Sequence, residues 1–475
     1  MLIRRAELDF GPVADVRTEA GLIAEIAPHL PQHPGEHVID AGGCALLPGL
    51  HDHHLHLPAL AAALQSLRCG PPEVRSADEI TTRLTTADCA PGQQHEWLRG
   101  VGYHESVAGD IDRQWLDRHV RSRPARIQHR SGRLWILNSR ALERLGDLDD
   151  GTPLERVDGR LTGRLYDHDD WLRERLQGQW PGLALASARL AARGVTGLTE
   201  ATPHNDLACF ERFRRALQRG ELRQNLLVMG DASLTAAVPG PGLEVGPTKI
   251  HLREAALPEF DAFVRMTRGS HAAGRPVAVH CVTRVELMFT LAELQAAGTV
   301  AGDRIEHASV TPPEALPMLR ALGLAVVTQP HFIRERGDAY LTDVDEDDRP
   351  WLYRARTLLD ACIPLAAGSD APFGDADPWL AMQAAVDRRT HDGTLCGPTE
   401  TLTAEQALAL FACGPRDPGG PSRRVVPGAP ADLCLLDRPW HVARENLADV
   451  QVRMTLHEGQ VIWDATTSPL PGAPA

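Results

Sequence analysis

At 475 residues the chain can form one extended domain or two ordinary ones around a large core. Its 43% hydrophobic and 24% charged content excludes a disordered or fibrous chain, and a net charge of −14 argues against nucleic acid or an anionic membrane as main partner. The opening MLIRRAELDF lacks an apolar leader and no run approaches the length of a membrane span, so the sequence reads as cytoplasmic. Nine cysteines without a CxxC pair suggest neither a disulfide framework nor a thiolate zinc module. The basic residues are unbalanced: 48 are Arg and one is Lys, at Lys249.

In chain order, the first elements are short strands, LIRRAEL, GLIAEIAP and EHVIDAGGCALLPG. Matching material, ADLCLLDRP and QVRMTLHEGQVIWD, closes the chain, so residues 1–45 and 425–475 are expected to build one small β domain around an inserted middle. Across 46–424, short apolar strands alternate with amphipathic helices. The strands are expected near 43–50, 194–201, 224–231, 248–252, 277–281, 304–308, 324–329 and 364–370. Eight such units suggest a TIM barrel, with chemistry at the C-terminal strand ends; a doubly wound open sheet competes. Residues 57–193 read as an insertion between strands one and two that shapes the substrate pocket, carrying HEWLRGVGY, PARIQHRSGRLWILNS and a long helix through WLRERLQGQWPGLALASARLAARG.

Four histidines, His51, His53, His54 and His56, fall within six residues. In an extended chain residues two apart share a face, so His54 and His56 can converge on one ion, as can His51 and His53; a solvated polar loop is the plain alternative. Later strands end in His280, His307 and Asp370, and nitrogen and oxygen ligands without thiolate suit zinc, with Mn, Fe, Co or Ni as alternatives. Lys249 ends the remaining strand, TKIHL. A neutral lysine amine can add CO₂ to give a carbamate whose two oxygens bridge cations, which guanidinium cannot do; a Schiff-base lysine is a further alternative.

These motifs resemble the amidohydrolase superfamily. DHHLH is similar to its D-x-H-x-H signature, which selects Asp52, His54 and His56 and leaves His51 and His53 outside. Lys249, His280, His307 and Asp370 match its lysine, two histidines and aspartate on strands four, five, six and eight, and PGAPADLCLLD resembles its C-terminal ending. SGRLWILNSRAL, LTGRLYD and GSDAPFGDADPWLAMQAAVDR resemble amidohydrolase family 3, the branch that includes N-substituted formamide deformylases. Arg133 stands where that branch has His, Asp167 where it has Glu, and HLREAALPEF replaces the Asp-Gly loop after the lysine.

The resemblance implies a (β/α)8 TIM barrel of the metal-dependent hydrolase type with a small β-sandwich domain formed from both chain ends. It implies a centre of one or two divalent ions held by His54, His56, Lys249 as a CO₂-derived carbamate, His280, His307 and Asp370. The implied reaction is hydrolysis of a non-peptide C–N bond, in an N-acyl, N-formyl or cyclic amide, through a metal-bridging hydroxide, with Asp370 as proton carrier. Lactone or ester hydrolysis at the same centre and a non-catalytic metal- or ligand-binding barrel are the alternatives. His331, in TQPHF, is expected to polarise the scissile carbonyl or bind substrate, and His104, Arg133, Asp167, Arg334 and Trp379, with Tyr103, Tyr166 and Phe332, are substrate-pocket candidates. Arg133 and Arg334 raise the expectation of an anionic small-molecule substrate. Neither nucleic acid nor a membrane is expected as partner, and a homo-oligomer is compatible with the sequence.

Overall fold

The computed structural model describes residues 1–71, 73–89, 97–149, 151–176 and 180–467. Two compact units are distinguished: Met1–Leu60 with Leu183–Ala475, and Ala61–Gly182.

The first unit contains an eight-stranded parallel sheet whose strands lie in chain order: Leu50–Leu55, Val195–Glu200, Asn225–Gly230, Leu243–His251, Val277–Cys281, Arg304–His307, Ala325–Thr328 and Leu365–Ala367. These are barrel strands one to eight. They are rich in Val, Leu, Ile and Ala because both faces are covered, and the helices between them carry their own start signals. Thr283 and Glu286 form a capping box at helix Arg284–Ala297, and Asp206 caps Leu207–Gln218. Strand eight returns to strand one through Asp370 N–H to His54 O at 2.7 Å and His56 N–H to Ala371 O at 2.8 Å. Asp52, 2% exposed, fastens the same seam: its carboxylate accepts from Ser369 N–H at 2.9 Å and Ser369 Oγ–H at 2.5 Å. Gly368 is required there, since a Cβ would stand 2.4 Å from the His54 backbone nitrogen. The nearly closed barrel expected from the alternating pattern is therefore present, and an open doubly wound sheet is not.

Strand one begins later than the apolar run suggested. The expected strand at 43–50 divides at Pro48-Gly49: Leu46–Pro48 pairs antiparallel with Leu433–Leu436, and the barrel strand is the histidine segment Leu50–Leu55 itself. An apolar run broken by Pro-Gly can serve two sheets, and here it does.

Leu46–Pro48, Leu433–Leu436, Val452–His457 and Gln460–Asp464 form one four-stranded sheet. Leu2–Glu7, Val13–Glu19, Leu22–Ala27 and Val38–Asp40 form another. Ile3, Val16 and Ile23 from one chain end share a buried core with Leu433, Leu435 and Leu456 from the other.

The unit Ala61–Gly182 holds a six-stranded sheet in the spatial order Leu154–Val157, Arg160–Tyr166, Leu134–Leu137, Ala125–His129, Leu98–Tyr103, Leu67–Arg68. The run HEWLRGVGY supplies Leu98–Tyr103; its His95 and Glu96 lie outside the described residues. The long helix expected from 171 to 194 is not continuous. Helix Asp169–Arg175 stops, Pro181 and Gly182 intervene, and Ala184–Ala191 is a separate helix leading into strand two. Residues 177–179 of that stretch lie outside the described residues. Among the described residues no helix is long and apolar enough to cross a membrane.

Candidate metal centre

The strand-one histidines divide by face. His51 Nε2 lies 2.8 Å from Thr199 Oγ1, and His53 Nε2 lies 3.1 Å from Cys413 Sγ; both rings are buried and engaged on one side of the strand. Gly197 is where His51 fits, because a Cβ there would meet its Nδ1 at 2.3 Å. His54 and His56 point to the opposite side. His56 Nε2 lies 3.2 Å and His54 Nε2 3.5 Å from Asp370 Oδ1. The period-two ambiguity in the sequence is thus resolved by what each face meets.

The remaining nitrogens decide what this convergence means. His54 Nδ1 is hydrogen-bonded to Glu306 Oε2. That carboxylate is kept ionised against its burial by the Arg304 guanidinium, whose Nε–H donates to Oε1 at 2.6 Å. An ionised carboxylate only accepts, so the His54 proton resides on Nδ1 and its Nε2 lone pair faces Asp370. His56 Nδ1 pairs with Thr202 Oγ1 at 2.9 Å, which permits the same arrangement. A lone pair aimed at a carboxylate oxygen is repulsive unless a cation stands between them. The separations of 3.2 and 3.5 Å bracket the edge of about 3.3 Å for ligands around a tetrahedral zinc with bonds of about 2.0–2.1 Å. His54, His56 and Asp370 are the one cluster of this kind, with three candidate ligand atoms within 4.8 Å of one another, among the described residues.

Lys249, His280 and His307 extend the group. Parallel pairing sets Lys249 beside Ala278 and His251 beside His280, so these four share a face of strands four and five. Strand six continues the pattern with Glu306 beside His280. His307, one residue on, would turn to the other face in a regular pleat, but φ values of 68° at His307 and 47° at Ala308 redirect it. Its ring centroid comes to 4.5 Å from His280 and 4.8 Å from His54, and its Nδ1 lies 2.7 Å from Gln329 Oε1. Asp370 also takes a left-handed φ, 51°. Lys249 is 6% exposed and its Nζ has no hydrogen-bond partner among the described residues. Burial pulls its ammonium down to about 8, so a minor neutral fraction, roughly a tenth, exists at pH 7. Burial also lowers His54 to about 3 and shifts His280 and His307 downward, leaving neutral imidazoles. Asp370 is pushed up by burial, yet the imidazoles of His56, His54 and His307 around it hold it well below the usual carboxylate range.

Other expected site residues have different surroundings. His331 Nε2–H donates to Ser369 O at 2.9 Å, so the atom left for other contacts is Nδ1, an acceptor in that tautomer; a donor that polarises a carbonyl is not available from it. Trp379 is 0% exposed, with its indole N–H on Arg193 O at 3.1 Å, so it is a packing residue and not a substrate contact. The reason is its place in helix Pro378–Asp387, whose Ala381, Met382 and Ala384 are buried with it. In the second unit, Arg133 and Asp167 grip each other through Nε–Oδ1 at 2.7 Å and Nη2–Oδ2 at 2.6 Å, so the exposed guanidinium is already paired with a carboxylate. His104 caps helix Glu105–Ala108, its Nδ1 accepting from Ser106 N–H. Tyr103 is buried with its hydroxyl on Gly109 O, and Tyr166 is exposed. Phe332 is buried and stacks beneath Arg336. Arg334 is exposed on helix Phe332–Asp343.

Four neighbours of the cluster were not singled out from sequence: Glu306, Gln329 and Thr202, which hold the candidate ligand histidines from behind, and His251, whose ring lies 4.3 Å from His280. His251 carried a usable signal, standing two residues after Lys249 and therefore on its face.

A nearly closed parallel barrel with imidazoles and a buried carboxylate converging where its strands end defines the class of TIM-barrel metal-dependent hydrolases. Residues 37–463 match the family described as the amidohydrolase family, and the chain belongs to it; it is a hydrolytic enzyme. It is 24% identical to the N-substituted formamide deformylase of Arthrobacter pascens, over 96% of this chain and 94% of that protein. Its fold is that of an uncharacterized metal-dependent hydrolase from Pyrococcus horikoshii OT3, at 20% identity and a TM-score of 0.76 over 94% of this chain and 98% of the other. A second such hydrolase, from Pyrococcus furiosus, matches at 20% identity and a TM-score of 0.73 over 92% and 98%.

Proposed function

We propose that the enzyme hydrolyses a non-peptide carbon–nitrogen bond of a small molecule, in an N-acyl, N-formyl or cyclic amide. The observation that carries this is the meeting of His54 Nε2, His56 Nε2 and Asp370 Oδ1, with the opposite nitrogen of each imidazole already occupied. These three would hold a divalent cation, zinc by donor type, with His280, His307 and Lys249 as the set for a second. The partnerless, partly neutral amine of Lys249 suits conversion to a carbamate. A bound cation would polarise the scissile carbonyl and lower the pKa of water towards neutrality. Asp370 is ionised and its Oδ2 accepts no hydrogen bond among the described residues, so that oxygen can take a proton from water and deliver it to the departing nitrogen. The name of the Arthrobacter relative makes N-substituted formamides the first compounds to try.

The test is a hydrolysis screen of zinc-reconstituted protein across formamides, N-acyl amines, N-acyl amino acids, hydantoins and lactones. Turnover of amides that disappears with a chelator and returns with zinc is expected. Turnover confined to lactones or esters would overturn the C–N assignment, and activity indifferent to metal removal would overturn the centre.

A further inference from the structure

We propose that Glu306, held by Arg304, is the positioning residue that fixes the donor nitrogen and ring direction of His54. The inference rests on the reading of His54 as a metal ligand. Three observations carry it. Glu306 is 0% and Arg304 1% exposed, so this ion pair is shut inside the barrel. Its two carboxylate oxygens are divided, Oε1 taking Arg304 Nε–H at 2.6 Å and Oε2 taking the His54 Nδ1 proton. Arg304 also donates through Nη2 to His53 O at 2.9 Å. One guanidinium therefore grips the strand-one backbone beside His54 and the carboxylate that aims the His54 ring.

The partners of the other ligands differ in kind. His56 rests on the hydroxyl of Thr202 and His307 on the amide of Gln329, both neutral. His54 alone among these three has an ionised partner, which raises the basicity of its Nε2 as well as setting the tautomer. An isolated buried ion pair contributes little net stability, so a role in setting the ligand is the better account of it.

Glu306→Gln exposes the logic because an amide has one acceptor oxygen for two donors. If that oxygen meets Arg304, the NH₂ faces His54 Nδ1 and drives the proton to Nε2, where the cation should bind. Zinc affinity measured by chelator competition is expected to fall about 10–100-fold, and the absorption spectrum of the cobalt(II) form to change. Glu306→Asp, with both oxygens retained, should recover part of the affinity, and Arg304→Lys should lose part of it without the forked grip. Thr202→Val is the neutral-partner comparison and should weaken zinc less than Glu306→Gln. Wild-type zinc affinity and an unchanged cobalt spectrum in Glu306→Gln would overturn the proposal, as would wild-type affinity in both Glu306→Asp and Arg304→Lys should the Gln variant not fold. A wild-type protein that takes up no zinc would instead overturn the metal centre itself.

Discussion

Each structural unit carries two histidines gathered on a carboxylate, and the two gatherings have opposite meanings. In the unit Ala61–Gly182, His104 and His129 stack at 5.9 Å, and their Nε2 atoms lie 3.6 and 3.2 Å from Glu105 Oε2. Their Nδ1 atoms accept backbone N–H groups, from Ser106 at 3.2 Å and Ser131 at 3.1 Å. A nitrogen that accepts carries no proton, so each Nε2 is N–H; His129 donates to Glu105, and His104 turns the same N–H side towards it from 3.6 Å. In the barrel, His54 Nδ1 must donate to Glu306, and its Nε2 faces Asp370 as a lone pair. The histidine and carboxylate types are the same in both places. What differs is the partner behind the ring: one cluster turns N–H groups to its carboxylate, whereas in the other His54 turns a lone pair to it, the arrangement a bound cation would need.

The largest expected effect comes from breaking the barrel cluster. Asp370→Asn or His54→Ala should remove bound zinc and lower turnover by about three orders of magnitude or more, measured by metal content and initial rates. Lys249→Arg keeps the charge but not the chemistry of an amine; it should lose a second equivalent of metal and most activity, and a fully active Lys249→Arg enzyme would end the carbamate assignment. Smaller is the effect at the seam: Asp52→Asn leaves a donor facing Ser369 N–H or the His54 amide and should destabilise the fold by about 1–3 kcal/mol in denaturant titration. Glu105→Gln sharpens the comparison from the other side. Glu105 is half-exposed, so this variant should keep wild-type zinc content and lose less than about 1 kcal/mol of stability; a loss of zinc would dissolve the distinction drawn between the units.

Much of the barrel and of the candidate site was legible because both depend on short-range regularity. Alternation of strand and helix marks a parallel barrel, and residues such as His280 and His307 are conspicuous at the ends of apolar strands. The partners of these candidate ligands were not legible, since Glu306 and His54 are 252 residues apart and nothing in RIEHA says that its Glu meets a histidine of strand one. The same limit applies to Arg133, whose partner Asp167 lies 34 residues on, just past the strand Arg160–Tyr166, and to Trp379, which a motif placed near the site while its helix turned it into the core. The start of strand one failed for a different reason. The apolar character of residues 43–50 fits either sheet, and pairing with Leu433–Leu436 decides between them.

The seam at Asp52 and Ser369 joins residues 317 positions apart, and the proposed ligands His54, His56 and Asp370 lie along it. Assembly therefore has a fixed order in time. During synthesis the strand-one imidazoles emerge early, but the carboxylate that completes the cluster arrives only after the other seven strands have been made. A growing chain cannot close this centre around an ion before its barrel is nearly complete, so metal retention would report on the last step of folding and not on the first.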